Sequence, residues 1–289
     1  MKTRLDKALV ERGLAGSRER AQALVIAGRV LVGEQRVEKP GTAVEADAAL
    51  RVIGEDLKYV SRGGLKLEGA VEHWGIELAG RQCVDVGAST GGFTDCMLQL
   101  GAGSVLAVDT GYGQIAHKLR VDSRVRLMER CNARLLGVGE LVKQWSVIRG
   151  QWSEKLKADP SAALRDDKDG AVRDDKKMAG IDFLAMDVSF ISATLVLPAV
   201  VRALAGEGET WRGEAVVLVK PQFEAGREHV GKGGIVRDEA ARELAVERVR
   251  ECMAGLGGMG VEVIESPITG MEGNREYLLH GWFRKSGEA

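Results

Sequence analysis

Cysteine and histidine are scarce in this sequence, and their spacing excludes a zinc site and a disulfide framework. The four cysteines (Cys83, Cys96, Cys131 and Cys252) contain no C-x-x-C pair, and the four histidines are isolated. Structural zinc needs paired ligands at short spacing, and a disulfide scaffold needs many cysteines in a short chain. We therefore expect no metal site and a protein of the reducing cytoplasm. Cys83 and Cys96 lie in apolar runs, which favours the core over a nucleophile.

Long apolar runs are also lacking. No window approaches the roughly 18 apolar residues that cross a membrane. The amphipathic start, MKTRLDKALVERG, has no apolar stretch of the kind found in a secretory signal. Hydrophobic residues still make up 45% of the 289 residues and charged residues 29%, so the chain can bury a core and stay soluble. This length predicts one large domain and one small one.

The net charge of −1 gives no overall attraction to nucleic acid, but the charge is uneven. Residues 1–39 contain nine Lys/Arg against five Asp/Glu. A local basic excess of this kind is typical of a docking site for a polyanion, although ordinary surface charge gives the same count.

Residues 1–58 are predicted to form a small α+β domain. A helix is predicted over 3–13, and Ser17 is the expected N-cap of a second helix that ends at Gly28. Short β-rich pieces follow (VLV, RVE and LRVI), separated by turn residues. Residues 59–62 are predicted to be a linker.

Helices and strands alternate from residue 63 to 289, which predicts a doubly wound α/β domain with a parallel sheet covered on both faces. A helix is expected over about 63–75. Strands are expected near 81–86, 104–108, 125–129, 181–186, 214–219, 261–265 and 277–283, with helices near 91–101, 114–121, 192–205 and 237–256. Residues 137–180 interrupt this order with nine Lys/Arg and eight Asp/Glu, and we interpret them as a polar surface insertion.

A glycine-rich turn follows the first strand of this domain and opens a helix. Glycines let the backbone turn sharply and approach a ligand, and doubly wound sheets bind ligands at this edge. An acid follows the second predicted strand, where it can accept ribose hydroxyls, and an amide follows the third, where it can meet an adenine edge. The candidate cofactor-binding residues are Asp85, Gly87, Ser89, Thr90, Gly91, Gly92, Phe93, Asp109, Asn132 and Asp187. The pattern favours S-adenosylmethionine, and NAD remains an alternative because an acid after the second strand serves it equally well.

Four polar residues lie at the edges of apolar runs: Lys66, Asp187, Lys220 and Glu276. Two ammonium groups and two carboxylates in one cleft can tune one lysine to act as a base. Taken alone, the pattern favours structural salt bridges at strand ends over a catalytic set.

The N-terminal domain resembles the S-four RNA-binding domain. The matching residues are Arg4-Leu5-Asp6, Leu9, Gly13, Ser17-Arg18, Ala21, Gly28, Val30, Val32 and Pro40. The resemblance implies that the helix pair presents basic side chains to structured RNA. The RNA-binding candidates are Arg4, Lys7, Arg12, Arg18, Arg20 and Arg29 here, with Arg62, Arg227 and Lys232 in the larger domain.

Segments along nearly the whole chain resemble the TlyA family. They are YVSRGGLKL, DVGASTGGFTD, AVDTGYGQ, ERCNAR, MDVSFIS, LVKPQFEAGR, VGKGGIVRD and GNREYL. The resemblance implies an S-four domain joined to an FtsJ-like, Rossmann-like methyltransferase sheet of about seven strands, the last antiparallel. It also implies 2′-O-methylation of ribosomal RNA, with cytidine as the target and S-adenosylmethionine as the methyl donor.

The same resemblance assigns the catalytic set of such ribose methyltransferases to Lys66, Asp187, Lys220 and Glu276. We expect Lys220 to accept the proton of the ribose hydroxyl, because the ammonium of Lys66 disfavours a second positive charge nearby. Asp187 and Glu276 would orient the two lysines. The polar insertion 137–180 departs from the usual compact family pattern, which puts substrate docking near it in doubt.

Two other classes of function are weighed against this one. The first is a non-catalytic RNA-binding or ribosome-assembly factor that retains a methyltransferase fold, and the intact set of four polar residues argues against it. The second is a pore-forming haemolysin, a name that some relatives carry. The lack of a spanning helix argues against pore formation.

Overall fold

The computed structural model describes residues 2–26, 28–53, 58–137, 141, 180–206, 210–270 and 273–283. Contacts divide the chain into two compact units, Met1–Leu57 and Lys58–Ala289. Nearly all of the predicted insertion 137–180 lies outside the described residues. The predicted linker 59–62 belongs to the second unit instead, because Tyr59 is only 2% exposed and packs in the core of that unit.

The described residues of the first unit form two helices and five short strands. Its elements are β1 (Lys2–Arg4), α1 (Leu5–Glu11), α2 (Arg18–Ile26), β2 (Val30–Val32), β3 (Gln35–Arg36), β4 (Ala43–Glu45) and β5 (Leu50–Val52). The predicted helix 3–13 is shorter than expected and starts at Leu5. Lys2–Arg4 pair with Ala43–Glu45 in an antiparallel ladder, a distant partner that no local pattern reveals.

The predicted N-cap of the second helix is present in the structure, and this unit has a buried core of its own. The Arg20 N–H donates to the Ser17 side chain at 3.2 Å, at the start of α2. Strands β3, β2 and β5 form a three-stranded sheet. Leu5 and Leu9 of α1 pack with Leu24 of α2 and Val30 of β2 in one buried cluster.

The second unit alternates helices and strands in the predicted order. Its elements are α3 (Gly63–Trp74), β6 (Gln82–Val86), α4 (Gly92–Gln99), β7 (Ser104–Val108), α5 (His117–Arg120), β8 (Val125–Met128), β9 (Phe183–Met186), α6 (Ala193–Ala205), β10 (Gly213–Val219), α7 (Pro221–Glu224), α8 (Glu239–Gly255), β11 (Gly258–Glu265) and β12 (Tyr277–Phe283). Two 3-10 turns, Ala133–Leu135 and Arg227–His229, lie between them.

These strands form one seven-stranded sheet in the order β11-β12-β10-β9-β6-β7-β8. Strands β10, β9, β6, β7 and β8 are parallel, and β12 runs antiparallel to both of its neighbours. This confirms the predicted sheet with its last strand reversed. The carboxyl ends of the parallel strands meet at one edge, where such sheets bind ligands.

Apolar side chains cover both faces of the sheet. On one face, Leu67 of α3, Met97 of α4 and Leu119 of α5 pack against it. On the other, Val196 of α6 and Val249 of α8 do so. The strands between these layers are buried on both sides, which explains why their sequences are continuously apolar.

Candidate active site

A cleft of about 590 Å³ opens at the carboxyl edge of the sheet. The turn after β6, the loops after β9 and β10, the start of α3 and the segment before β12 all contribute to it. Its lining residues are Ser61, Arg62, Gly63, Lys66, Gly87, Ala88, Ser89, Thr90, Gly92, Phe93, Asp187, Ser189, Phe190, Lys220, Gln222, Phe223, Gly234, Ile268, Thr269, Gly270, Asn274 and Glu276. All four of the predicted catalytic residues are among them.

The turn after β6 depends on glycine for its shape. Gly87 and Gly91 have φ angles of +87° and +94°. A side chain at Gly87 would collide with the backbone carbonyl of Asp187, so glycine allows the turn and the loop after β9 to meet. Ser89 adopts a φ of +50° without being glycine, a strained conformation that clusters at functional sites.

Asp109 follows β7 and holds this turn in place. The Ser89 N–H donates to its Oδ2 at 2.8 Å, and the Gly111 N–H donates to its Oδ1 at 2.6 Å. Asp109 also lines a small pocket that adjoins the cleft along Ala88 and Ser89. Asp109 and the turn are therefore neighbours, as an adenosyl pocket requires.

Asn132 and Asp85 occupy less direct positions. Asn132 is exposed, and its side chain accepts the Arg134 N–H at 3.1 Å. It is not among the described residues that line the cleft or the small pocket beside it. Asp85 is fully buried, and its Oδ2 accepts the Thr94 N–H at 2.9 Å and the Thr94 hydroxyl at 2.6 Å. Its Oδ1 has no hydrogen-bond partner among the described residues. Burial raises the pKa of Asp85 to about 7, against the lowering effect of Thr94.

The four polar residues form two lysine–carboxylate pairs. Lys66, from the second turn of α3, forms an ion pair with Glu276, which directly precedes β12. Lys220, directly after β10, has its Nζ 2.5 Å from Oδ1 of Asp187, directly after β9. The two pairs line one cleft because β9 and β10 are adjacent and parallel, while β12 reverses direction beside them.

Two buried side chains that the sequence analysis did not single out hold the surrounding loops. Asn274 accepts the Val236 N–H at 3.1 Å and donates to the Gly234 carbonyl at 2.8 Å. Glu224 accepts the Ser192 hydroxyl at 2.5 Å and the Ala193 N–H at 2.6 Å. Burial raises the pKa of Glu224. Both lie within motifs that carried the family resemblance (GNREYL and KPQFE), and that was the only signal for them.

The mouth of the cleft carries an exposed aromatic side chain. Phe190 is 92% exposed and has a φ of +63°, which is unusual for a bulky residue. Its ring centroid lies 5.5 Å from that of Phe223, which also lines the cleft. The sequence analysis did not select Phe190. An exposed phenyl ring at a cleft mouth offers a flat surface on which a nucleobase can stack.

Several of the predicted RNA-binding residues of the first unit form hydrogen bonds with other residues of the same unit. Arg4 and Arg18 both donate to the buried carboxylate of Asp6, and Arg4 in particular holds the pKa of Asp6 well below its usual range.

The other candidates of this unit contact backbone carbonyls or solvent. Arg12 donates to the carbonyls of Ala46 and Ala48, and Arg29 donates to that of Ile53. Lys7 is exposed beside Glu11, and Arg20 is partly exposed. These contacts fix the loops of the unit, and RNA binding by these side chains remains a prediction.

The predicted RNA contacts of the second unit lie in two places. Arg62 lines the cleft and donates to the Thr269 carbonyl at 3.3 Å. Arg227 and Lys232 are exposed in the loop between α7 and α8. Of these three residues, Arg62 is the one that lines the cleft together with the catalytic candidates.

Metal and membrane features are absent from the described part of the chain. No group of three or more His, Cys, Asp or Glu there could hold a metal ion, and no helix there is long and apolar enough to cross a membrane. The four cysteines are free, with Cys83 and Cys96 buried as predicted.

The sheet order, its reversed last strand and the glycine turn define a Rossmann-like methyltransferase fold. The FtsJ-like methyltransferase family matches residues 59–283, and the S4 domain matches residues 3–50. The 16S/23S rRNA (cytidine-2′-O)-methyltransferase TlyA of Mycobacterium tuberculosis (strain H37Rv) is 40% identical over 284 residues, which cover 98% of this chain and 90% of that protein. Hemolysin A of Brachyspira hyodysenteriae is 36% identical over 277 residues, 96% of this chain and 98% of that protein.

A solved structure from Streptococcus thermophilus that carries a hemolysin name is 37% identical, with a TM-score of 0.64. The match covers 99% of this chain and 90% of that chain. The chain belongs to the FtsJ-like methyltransferase family, and within it to the TlyA group, in which an S4 domain precedes the methyltransferase domain.

Proposed function

We propose that this protein is an S-adenosylmethionine-dependent methyltransferase that modifies the 2′-hydroxyl of cytidine in ribosomal RNA. One observation carries the proposal: two lysine–carboxylate pairs line one cleft beside a glycine turn, in a chain of the FtsJ-like methyltransferase family. The identity to rRNA (cytidine-2′-O)-methyltransferases over nearly the whole chain supports the same substrate. An enzyme with this substrate is expected in the cytoplasm.

The residues around the glycine turn fit S-adenosylmethionine. A cleft of about 590 Å³ is within the usual size range of cofactor sites. The turn from Gly87 to Gly92 would hold the methionine part, and Asp109, which lines the small pocket beside the cleft, would hold the ribose hydroxyls. Asp187 and Phe93 line the same cleft as the turn and the two lysines. When bound, S-adenosylmethionine supplies a methyl group that a positive sulfur has already activated.

The residues of the chain itself have three tasks in this reaction. Lys220 accepts the proton of the 2′-hydroxyl at Nζ, and the negative charge of Asp187 keeps the amine in the cleft. The buried pair of Lys66 and Glu276 lines the same cleft and holds the second positive charge in place. Phe190 stacks on the base of the target nucleotide at the cleft mouth, which positions its ribose near Lys220.

The test is methyl transfer from labelled S-adenosylmethionine to separated small and large ribosomal subunits, followed by mapping of the modified nucleotide. The expected result is label on the 2′-oxygen of a cytidine. Label on a base, or binding of subunits without any transfer, would overturn the proposal, and the second result would favour a ribosome-assembly factor. Free rRNA transcripts, tested in parallel, would show whether assembled subunits are needed.

A further inference from the structure

Ser189 is two residues beyond Asp187, in the exposed part of the loop after β9. It lines the same cleft as the four polar residues. The Lys220 Nζ donates a hydrogen bond to its hydroxyl oxygen at 2.6 Å. Ser189 is therefore in direct contact with the proposed base.

Asp187 approaches Lys220 in a different way. Its Oδ1 lies 2.5 Å from Nζ, but this oxygen has no hydrogen-bond partner among the described residues, because the approach is off the direction of a hydrogen bond. The contact is one of charge and fixes little about the orientation of the amine. Ser189 thus accepts the one hydrogen bond that Nζ makes within the described part of the chain.

A neutral lysine amine has two N–H bonds and one lone pair at tetrahedral angles. Rotation about the Cε–Nζ bond sweeps the lone pair around a cone unless an N–H is held. An acceptor that holds one N–H stops this rotation, and the negative charge of Asp187 attracts the second N–H. We propose that Ser189 is a positioning residue that aims the lone pair of Lys220 at the ribose hydroxyl.

The loop that carries Ser189 is built to keep this distance. Glu224, in the short helix that begins directly after Lys220, accepts hydrogen bonds from the Ser192 hydroxyl and the Ala193 N–H. These hydrogen bonds join the segment that follows Lys220 to the segment that follows Ser189, only three or four residues from the contact itself. The contact is a fixed part of the site rather than a chance encounter of two surface side chains.

This inference rests on the proposed function, and the experiment separates the two. Single-turnover methyl transfer to ribosomal subunits is measured at saturating S-adenosylmethionine for the wild type, Ser189→Ala and Ser189→Thr. We expect Ser189→Ala to lower the rate at saturating substrate about tenfold to hundredfold, since a misaligned base loses part of its effect. The KM for subunits and the Kd for S-adenosylmethionine should stay near the wild-type values. Ser189→Thr keeps the hydroxyl and should recover most of the rate.

Ser104→Ala is the matched control, since it removes a buried, hydrogen-bonded serine hydroxyl of the same unit that does not line the cleft. It should lower the melting temperature more than Ser189→Ala, while sparing more of the rate. Full activity of Ser189→Ala, or equal losses in the alanine and threonine variants, would overturn the role of Ser189 while the proposed function stands. A wild-type protein that transfers no methyl group would overturn both.

Discussion

Lys66 and Glu276 are 210 positions apart in the sequence and form an ion pair inside the cleft. Their side chains are only 10% and 3% exposed. A buried charge is costly without its partner, so each of these residues requires the other. The pair also ties α3 to the start of β12, and thus links the first helix of the second unit to its last strand.

Separating this pair should destabilise the protein, whereas removing both charges should not. Glu276→Gln and Lys66→Met each leave one buried charge unpaired, so we expect the free energy of unfolding to fall by about 3 kcal/mol in each. The double variant buries two neutral groups and should recover much of the loss. Urea denaturation of the four proteins gives the coupling energy as a double-mutant cycle.

The exposed pair of Arg250 and Glu247 is the matched control, because both of its side chains are about half exposed. Glu247→Gln should change the free energy of unfolding by less than about 1 kcal/mol. Strictly additive effects of Lys66→Met and Glu276→Gln would contradict the buried-pair interpretation.

Lys220 should be essential for the reaction and dispensable for cofactor binding. Lys220→Ala removes the proton acceptor and should abolish methyl transfer to ribosomal subunits, with the Kd for S-adenosylmethionine nearly unchanged. Lys220→Arg keeps a positive charge beside Asp187, but a guanidinium does not give up its proton, so this variant should be inactive as well. Calorimetry measures the Kd, and single-turnover assays measure transfer. Wild-type activity in Lys220→Arg would show that the side chain supplies charge and not a base.

Phe190 should contribute to substrate positioning without contributing to stability. Stacking of a base on an aromatic ring is worth about 1–3 kcal/mol, so we expect Phe190→Ala to lower kcat/KM for subunits by about fivefold to 150-fold. Thermal stability should not fall, because the ring is 92% exposed. Leu195→Ala, which removes another exposed apolar side chain outside the cleft lining, should leave kcat/KM close to wild type. Equal kinetics for Phe190→Ala and Leu195→Ala would exclude the stacking role.

Asp85 should make stability depend on pH. Its folded-state pKa of about 7 lies above the roughly 3.9 of an unfolded aspartate, so the folded protein keeps a proton that the unfolded chain releases. The stabilisation is complete below about pH 4 and is lost as the pH rises towards 7. Asp85→Asn stays neutral and can still accept from Thr94, so its advantage over the wild type should grow across this range, up to about 4 kcal/mol. Urea unfolding from pH 5 to 8 measures it, and a constant difference across this range would contradict the shift.

Much of the second unit could be predicted because its local patterns agree with its fold. The strand Phe183–Met186 and the helix Ala193–Ala205 lie within their predicted ranges, since buried parallel strands and long amphipathic helices leave strong signals. In the first unit, β1 was missed because three residues owe their strand conformation to pairing with residues 43–45.

The candidate site likewise has residues that the sequence identified and residues that only the structure revealed. The glycine turn and the four charged residues were identified from the sequence and from the family resemblance. Ser189 and Phe190 were missed, because a serine and a phenylalanine in a loop carry no chemical signature until their surroundings are known. Glu224 and Asn274 were missed for a similar reason, since each acts through backbone groups of a different segment.

The sequence by itself determined the two-domain composition, the order of helices and strands, and the residue types available for proton transfer. These follow from periodicity and from side-chain chemistry, which are local properties of the chain. Only the tertiary structure decided which lysine pairs with which carboxylate, and that Lys220 donates a hydrogen bond to Ser189. Lys66 lies in α3 and the other partners lie at strand ends or in loops, which the parallel order of β9 and β10 and the reversal of β12 bring together. The distance between two side chains at a sheet edge depends on strand order, which no local stretch of sequence specifies.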